Sequence, residues 1–153
     1  MEILDLVAPD AVLAQVKASS KKQALQILCA KASELTGLEE RDIFAKVFER
    51  ERLGTTGVGQ GVAIPHGKLE GLDEIVAVFA QLAKPVDFDS IDNQPVDLMF
   101  LLLAPDHAGA DHLKALARIS RLLRDKSMCE KLRGGKDKDA IYALLTQSHA
   151  NAA

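Results

Sequence analysis

Residues 55–68 read Thr55-Thr56-Gly57-Val58-Gly59-Gln60-Gly61-Val62-Ala63-Ile64-Pro65-His66-Gly67-Lys68, and the chain changes character here. A glycine-rich loop runs into Val62-Ala63-Ile64, a short predicted strand that stops at Pro65, which has no N–H to give a ladder. Upstream the pattern is helical. Ser20-Lys21-Lys22-Gln23 has capping-box spacing, with Gln23 expected to reach back to the Ser20 amide. Ala24, Leu25, Leu28, Ala32 and Leu35 then recur at helical spacing, and Gly37 supplies the stop. A second helix is expected from about Glu39 to Arg52, with Ile43, Phe44, Val47 and Phe48 as its apolar stripe. Glu39 and Glu40 lie at its start and Arg50 and Arg52 at its end, the polarity that suits the helix dipole.

Downstream, Ile75 to Leu82 is rich in β-branched residues and is expected to pair antiparallel with Val62–Ile64. Val86-Asp87-Phe88 suggests a short edge strand, and Val96 to Leu103 is apolar enough to be buried on both faces. After Pro105 the helical period returns, from about Ala110 to Lys126, with Leu113, Leu116, Ala117, Ser120 and Leu123 facing inward. A last helix starts near Asp137 and carries Ile141, Leu144 and Leu145. The fold class is α/β, a small mixed β-sheet flanked by helices on both faces. Residues 1–146 form one domain and 147–153 a polar C-terminal tail, in which His149 is a solvated residue.

A chain of 153 residues with 48% hydrophobic and 27% charged residues has the composition of a globular domain. Nineteen basic against twenty-two acidic residues leave a net charge of −3, which argues against nucleic acid as a partner. The longest apolar run, Leu98 to Ala104, falls far short of the ~20 residues of a membrane span. The N-terminus carries Glu2 and Asp5 rather than a basic leader, and Cys29 and Cys129 have no metal-type spacing. These features lead to the expectation of a cytoplasmic protein with buried or idle thiols rather than a bridge, and no membrane insertion.

Nucleotide-binding loops fail on spacing. The gap between Gly61 and Gly67 is one residue too long for a P-loop, and Leu69 follows Lys68 where a hydroxyl should bind magnesium. Gly57-Val58-Gly59-Gln60-Gly61 precedes a strand rather than a helix, against the dinucleotide pattern. His107 and His112 would project about 140° apart on a continuous helix, so no metal site is expected. No G-x-S-x-G elbow occurs. His66 stands apart, on a strand-end loop with Pro65 fixing one side and Gly67 leaving the other uncrowded. On its own, a loop histidine is more often structural or merely exposed than reactive.

Taken together, Thr55 to Lys68 resembles the active-site signature of the enzyme IIA proteins of the bacterial phosphoenolpyruvate-dependent phosphotransferase system, mannitol/fructose family. Arg50-Glu51-Arg52-Leu53 is similar to that family's Arg-Glu-Lys segment, with Arg52 where many members have lysine. Asp89-Ser90-Ile91-Asp92-Asn93-Gln94-Pro95-Val96-Asp97-Leu98 resembles the nitrogen-related branch. The likeness runs from about residue 4 to 145 and implies a mixed sheet flanked by helices. It implies that His66 is the phosphorylated histidine, and that His112 (in Asp111-His112-Leu113) and Arg50 are active-site partners.

The resemblance implies a phosphohistidine carrier, a phosphotransferase component that accepts phosphate from an HPr-like carrier and signals to cytoplasmic regulatory targets by its phosphorylation state. Imidazole suits this role because its pKa near ~6.5 leaves the nucleophilic form available at neutral pH. Transfer then needs a cation at the equatorial oxygens, for which the forked guanidinium of Arg50 is suited. Thr55, Thr56 and Gly61 are the candidates for supporting contacts to the phosphoryl group. No metal or other cofactor is required. Two other readings stand beside this one: a fructose- or mannitol-type IIA that hands phosphate to a IIB partner in sugar uptake, and a non-catalytic binding module.

Overall fold

A computed structural model describes the backbone of residues 2–151 and the side chains of residues 2–147. A short helix α1 (Ile3–Leu6) and a 3-10 turn (Pro9–Ala11) lead into strand β1 (Val12–Val16). Helices α2 (Lys21–Thr36) and α3 (Glu40–Leu53) follow, then β2 (Gly57–Gly59), β3 (Val62–Ala63), β4 (His66–Leu69), β5 (Val76–Val86) and β6 (Val96–Pro105). Helices α4 (Ala110–Arg124), α5 (Lys126–Gly134) and α6 (Lys138–Asn151) complete the chain.

The sheet is mixed and helices cover both faces, as the sequence indicates, but its pairing is different from the expected one. The order is β1-β5-β6-β3-β2, with β4 also on β6. Val62–Ala63 therefore never meets β5; both flank β6, which is antiparallel to β5 and parallel to β3 and β4. Val62 pairs with Leu98 and His66 with Leu102, so β3 and β4 share one register offset along β6. They are a single strand interrupted at Ile64-Pro65, where proline cannot donate and its carbonyl instead accepts from Leu102 N at 2.9 Å. The glycine-rich loop contains a strand of its own: β2 and β3 form a tight hairpin whose turn residues Gln60 and Gly61 have φ of 57° and 80°, the type I′ signature.

Side chains alternate across this interrupted strand. Val62 and Ile64 join Leu98, Phe100 and Leu102 against Ala115, Ile119 and Leu122 of α4 and Leu132 of α5. Ala63 and Leu69 join Met99, Leu101 and Leu103 against Leu25 and Leu28 of α2 and Ile43 and Val47 of α3. Because β2 borders only β3, β4 is an edge, and its outer side opens toward the end of α3 and the start of α4.

Local expectations divide by how far they reach. Ser20 Oγ accepts from Gln23 N at 3.1 Å and Gly37 closes α2 at φ 78°, as expected. Gln23, however, turns its Oε1 to Ser19 N and Ser19 Oγ rather than to the Ser20 amide. The helix expected from about Ala110 to Lys126 is α4; Asp125 ends it, and the Asp125 carboxylate caps a further helix, α5, through Met128 N at 3.2 Å. The inward face of α4 is also rotated from the expected one. His112, Ala115, Ile119, Leu122 and Leu123 are buried, whereas Leu113 is 65% exposed and Ala117 is exposed. Strand β5 runs on through Val86, with Phe88 fully buried beyond it rather than in a separate strand. The backbone of α6 is helical through Asn151, into the segment read as a tail; the His149 side chain lies outside the described residues.

Candidate functional site

His66 opens β4 rather than lying in a loop, and its placement follows from the strand break before it. Its Nδ1 is 2.9 Å from the Ile64 carbonyl oxygen, which can only accept, so Nδ1 carries the proton and Nε2 keeps a free lone pair. The alternation that puts Val62 and Ile64 on the α4 side puts the His66 ring there too. It meets His112, in the first turn of α4, at a centroid separation of 5.7 Å with the planes tilted by 50°.

Both imidazoles have lowered pKa values. For His66, burial dominates and the Arg50 guanidinium adds to it, against the opposing pull of the Ile64 carbonyl and Glu51. For His112, burial again leads, followed by His66 and Lys68. Neutral rings are thus favoured to below the usual histidine range. His112 is buried, and its Nδ1 has no partner among the described residues.

Arg50 reaches the same cleft from the last turn of α3, with Nη1 donating to the Gly54 carbonyl at 2.9 Å. The cleft, about 340 Å³, is lined by Lys46, Glu49, Arg50 and Leu53 from α3, by His66, Gly67 and Lys68 from β4, and by His112. A Cβ on Gly67 would stand 3.6 Å from the backbone of Lys46, so this glycine sits at ordinary contact distance from α3. The arrangement joins a nucleophilic nitrogen, a second imidazole and three cationic side chains, which is what a dianionic phosphoryl group needs.

His66, His112 and Arg50 therefore converge, while Thr55, Thr56 and Gly61 do not join them. Thr55 Oγ1 donates to the Phe88 carbonyl at 2.9 Å and accepts from Gly57 N at 3.0 Å. Thr56 is buried, with its N and Oγ1 both donating to Glu51, at 2.8 and 2.5 Å. Gly61 is in the hairpin turn, where its carbonyl accepts from Asp97 N and Leu98 N. Their polar groups hold loops together, and none of the three lines the cleft with His66. Arg52 lies on a neighbouring groove with Phe44 and Phe48. Sequence reasoning missed Lys46, Glu49 and Lys68. The spacing of Lys46, Arg50 and Leu53 on one helical face could have revealed the first, and the alternation of His66 and Lys68 on one strand the last.

The family described as phosphoenolpyruvate-dependent sugar phosphotransferase system, EIIA 2, matches residues 5–148. The chain belongs to this family. It is 61% identical, over the full length of both chains, to a protein of Bradyrhizobium diazoefficiens named nitrogen regulatory protein. The crystal structure of nitrogen regulatory protein IIA-Ntr from Neisseria meningitidis superposes with a TM-score of 0.88 at 33% identity, covering 93% of this chain and 97% of that one. The mannitol IIA of Escherichia coli shares the fold, with a TM-score of 0.75 at 23% identity over 90% of this chain and 97% of that one. Membership of the EIIA 2 family makes the chain a phosphotransferase-system component. No helix among its described residues is long and apolar enough to cross a membrane.

Proposed function

We propose that this IIA protein is a cytoplasmic phosphohistidine carrier with a regulatory output, accepting phosphate on Nε2 of His66 from an HPr-like histidine phosphocarrier. The observation that carries the reading is the Nδ1–H bond to the Ile64 carbonyl beside Arg50 and His112, which leaves Nε2 as the nucleophile. Nε2 attacks the donor's phosphorus, the donor N–P bond breaks, and its electron pair returns to the donor imidazole. The Nδ1 proton stays where it is. Arg50 neutralises the equatorial oxygens and a ring N–H of His112 donates to one of them. Leu53, 83% exposed, and Leu113, 65% exposed, provide apolar surface near the cleft for a docking partner.

The regulatory half rests on charge and on the names of the relatives. Phosphorylation adds about 1.5–2 negative charges beside exposed apolar surface, enough for a target protein to distinguish the two states. A tenfold difference in affinity, about 1.4 kcal/mol, is the expected minimum.

Incubation with phosphoenolpyruvate, enzyme I and a histidine phosphocarrier tests the reading. It should give a single acid-labile, base-stable adduct, with ³¹P–¹⁵N coupling to Nε2 of His66. Label on His112, or none on the folded protein, would overturn it. Calorimetry of the phosphorylated and unmodified forms against captured partners tests the output. Fast, near-quantitative transfer to a sugar-specific IIB with no state-dependent partner would replace regulation with sugar uptake.

A further inference from the structure

Glu51 stands where a helix disfavours an acid. It occupies the last turn of α3, at the negative end of the dipole, yet its side chain is only 2% exposed. Oε1 accepts from Thr56 N at 2.8 Å and lies 3.0 Å from Lys21 Nζ, while Oε2 accepts from Thr56 Oγ1. Lys21 is mismatched in the same sense, an ammonium on the first residue of α2. Its Nζ donates to the Phe88 carbonyl at 3.3 Å and lies 4.6 Å from the centre of the Phe88 ring, with Asp89 at 3.9 Å. One ion pair thus joins the start of α2, the end of α3, the turn that follows and the loop after β5.

That turn matters because Arg50 is tethered to it. Arg50 Nη1 donates to the Gly54 carbonyl, and Gly54 lies between the two residues that the clamp joins, Glu51 and Thr56. We propose that Glu51 is a positioning residue for phosphoryl transfer: its buried carboxylate, by clamping Thr56 and Lys21, fixes the turn that anchors Arg50 beside His66. This deepens the phosphocarrier reading and rests on it. Glu51 touches no reacting atom, but its field reaches the acceptor. It favours the protonated His66 ring while Arg50 disfavours it. The other charged or titratable groups on the cleft are Lys46 and Glu49 from α3, Lys68 from β4 and His112 from α4, with Lys21 and Asp89 beyond Glu51.

The test compares Glu51→Gln, Lys21→Met and the double variant by NMR titration of the His66 ring and by single-turnover transfer, corrected for folded fraction by circular dichroism. Glu51→Gln should slow transfer by ~10- to 100-fold per folded molecule, as displacement of a positioning group does. It should also move the His66 titration to lower pH. Lys21→Met leaves the carboxylate unneutralised and should move the same titration to higher pH. Loss of stability alone would not produce opposite displacements. Should Glu51→Gln not fold, the double variant carries the test, with slower transfer than wild type and a His66 midpoint below that of Lys21→Met. Transfer by the folded variants within ~2-fold of wild type, or a His66 titration that none of them moves, would overturn the proposal. A wild-type protein that takes no label would count against the phosphocarrier reading instead, while the titrations would still report on Glu51.

Discussion

Two clefts border the start of α4, and each has a histidine from the same stretch of chain. One, with His112, gathers Lys46, Arg50 and Lys68 against a single carboxylate, Glu49. The other, about 460 Å³, gathers Asp5, Asp73, Glu74 and Asp111 around His107, and among the described residues no lysine or arginine lines it. His107 is exposed, with Nδ1 3.4 Å from Asp106 Oδ1, whereas His112 is buried against His66. A unit charge ~4 Å away is worth ~4 kcal/mol at an effective dielectric of ~20, so a dianion is welcome in the first cleft and repelled from the second. An imidazole alone does not make a cleft receptive to a dianion; the charges that converge on it do.

The largest effect expected is at the proposed acceptor. His66→Gln should reduce the phosphorylated species to background by intact-mass measurement, and label persisting on another histidine would break the contrast between the clefts. Next comes the cation. Arg50→Lys should keep the fold but slow single-turnover transfer by ~10- to 1000-fold, because a point charge does not replace a positioned fork. His112→Ala should cost less, ~10- to 100-fold in transfer rate or in phosphoprotein lifetime, the equivalent of one hydrogen bond to a charged group.

A pH experiment sharpens the comparison further. His66 and His112 have lowered folded-state pKa values, so between their ordinary range near ~6.5 and the lower folded values the unfolded chain binds more protons. Their contribution to stability is therefore complete above that range and lost as pH falls through it. Urea unfolding at several pH values should show a stability slope in the wild type that flattens in the His66→Gln/His112→Gln variant. The smallest effect belongs to the acidic cleft, where His107→Gln and Glu74→Gln should each leave transfer within about 2-fold of wild type in the same single-turnover measurement.

Much of the scaffold was legible because its signals are local. Ser20 and Gly37 bound α2, Asp137 caps α6 through Ala140 N at 2.8 Å, and the apolar run from Val96 became the central strand β6. Each depends on residues within a few positions of one another, where period and capping chemistry act directly. The α4 face was misread for an instructive reason. His112 occupies a buried position of the stripe and Leu113 an exposed one near the cleft, so hydrophobicity ran out of phase with burial at the site.

By itself, then, the sequence determined the α/β class, most helix limits, the buried strand and the unusual setting of His66 after Pro65. Tertiary structure alone decided that β3 and β4 are one strand continued along β6, that β4 is left as an edge, and that α3 and α4 bring Arg50 and His112 to it from opposite ends of the interval. It also decided that Thr55 and Thr56 spend their hydroxyls on Phe88 and Glu51, not on the cleft. The reason is one of range. Helix period and caps are set by neighbours along the chain, whereas strand partners and converging side chains are set by which distant surfaces can be buried together.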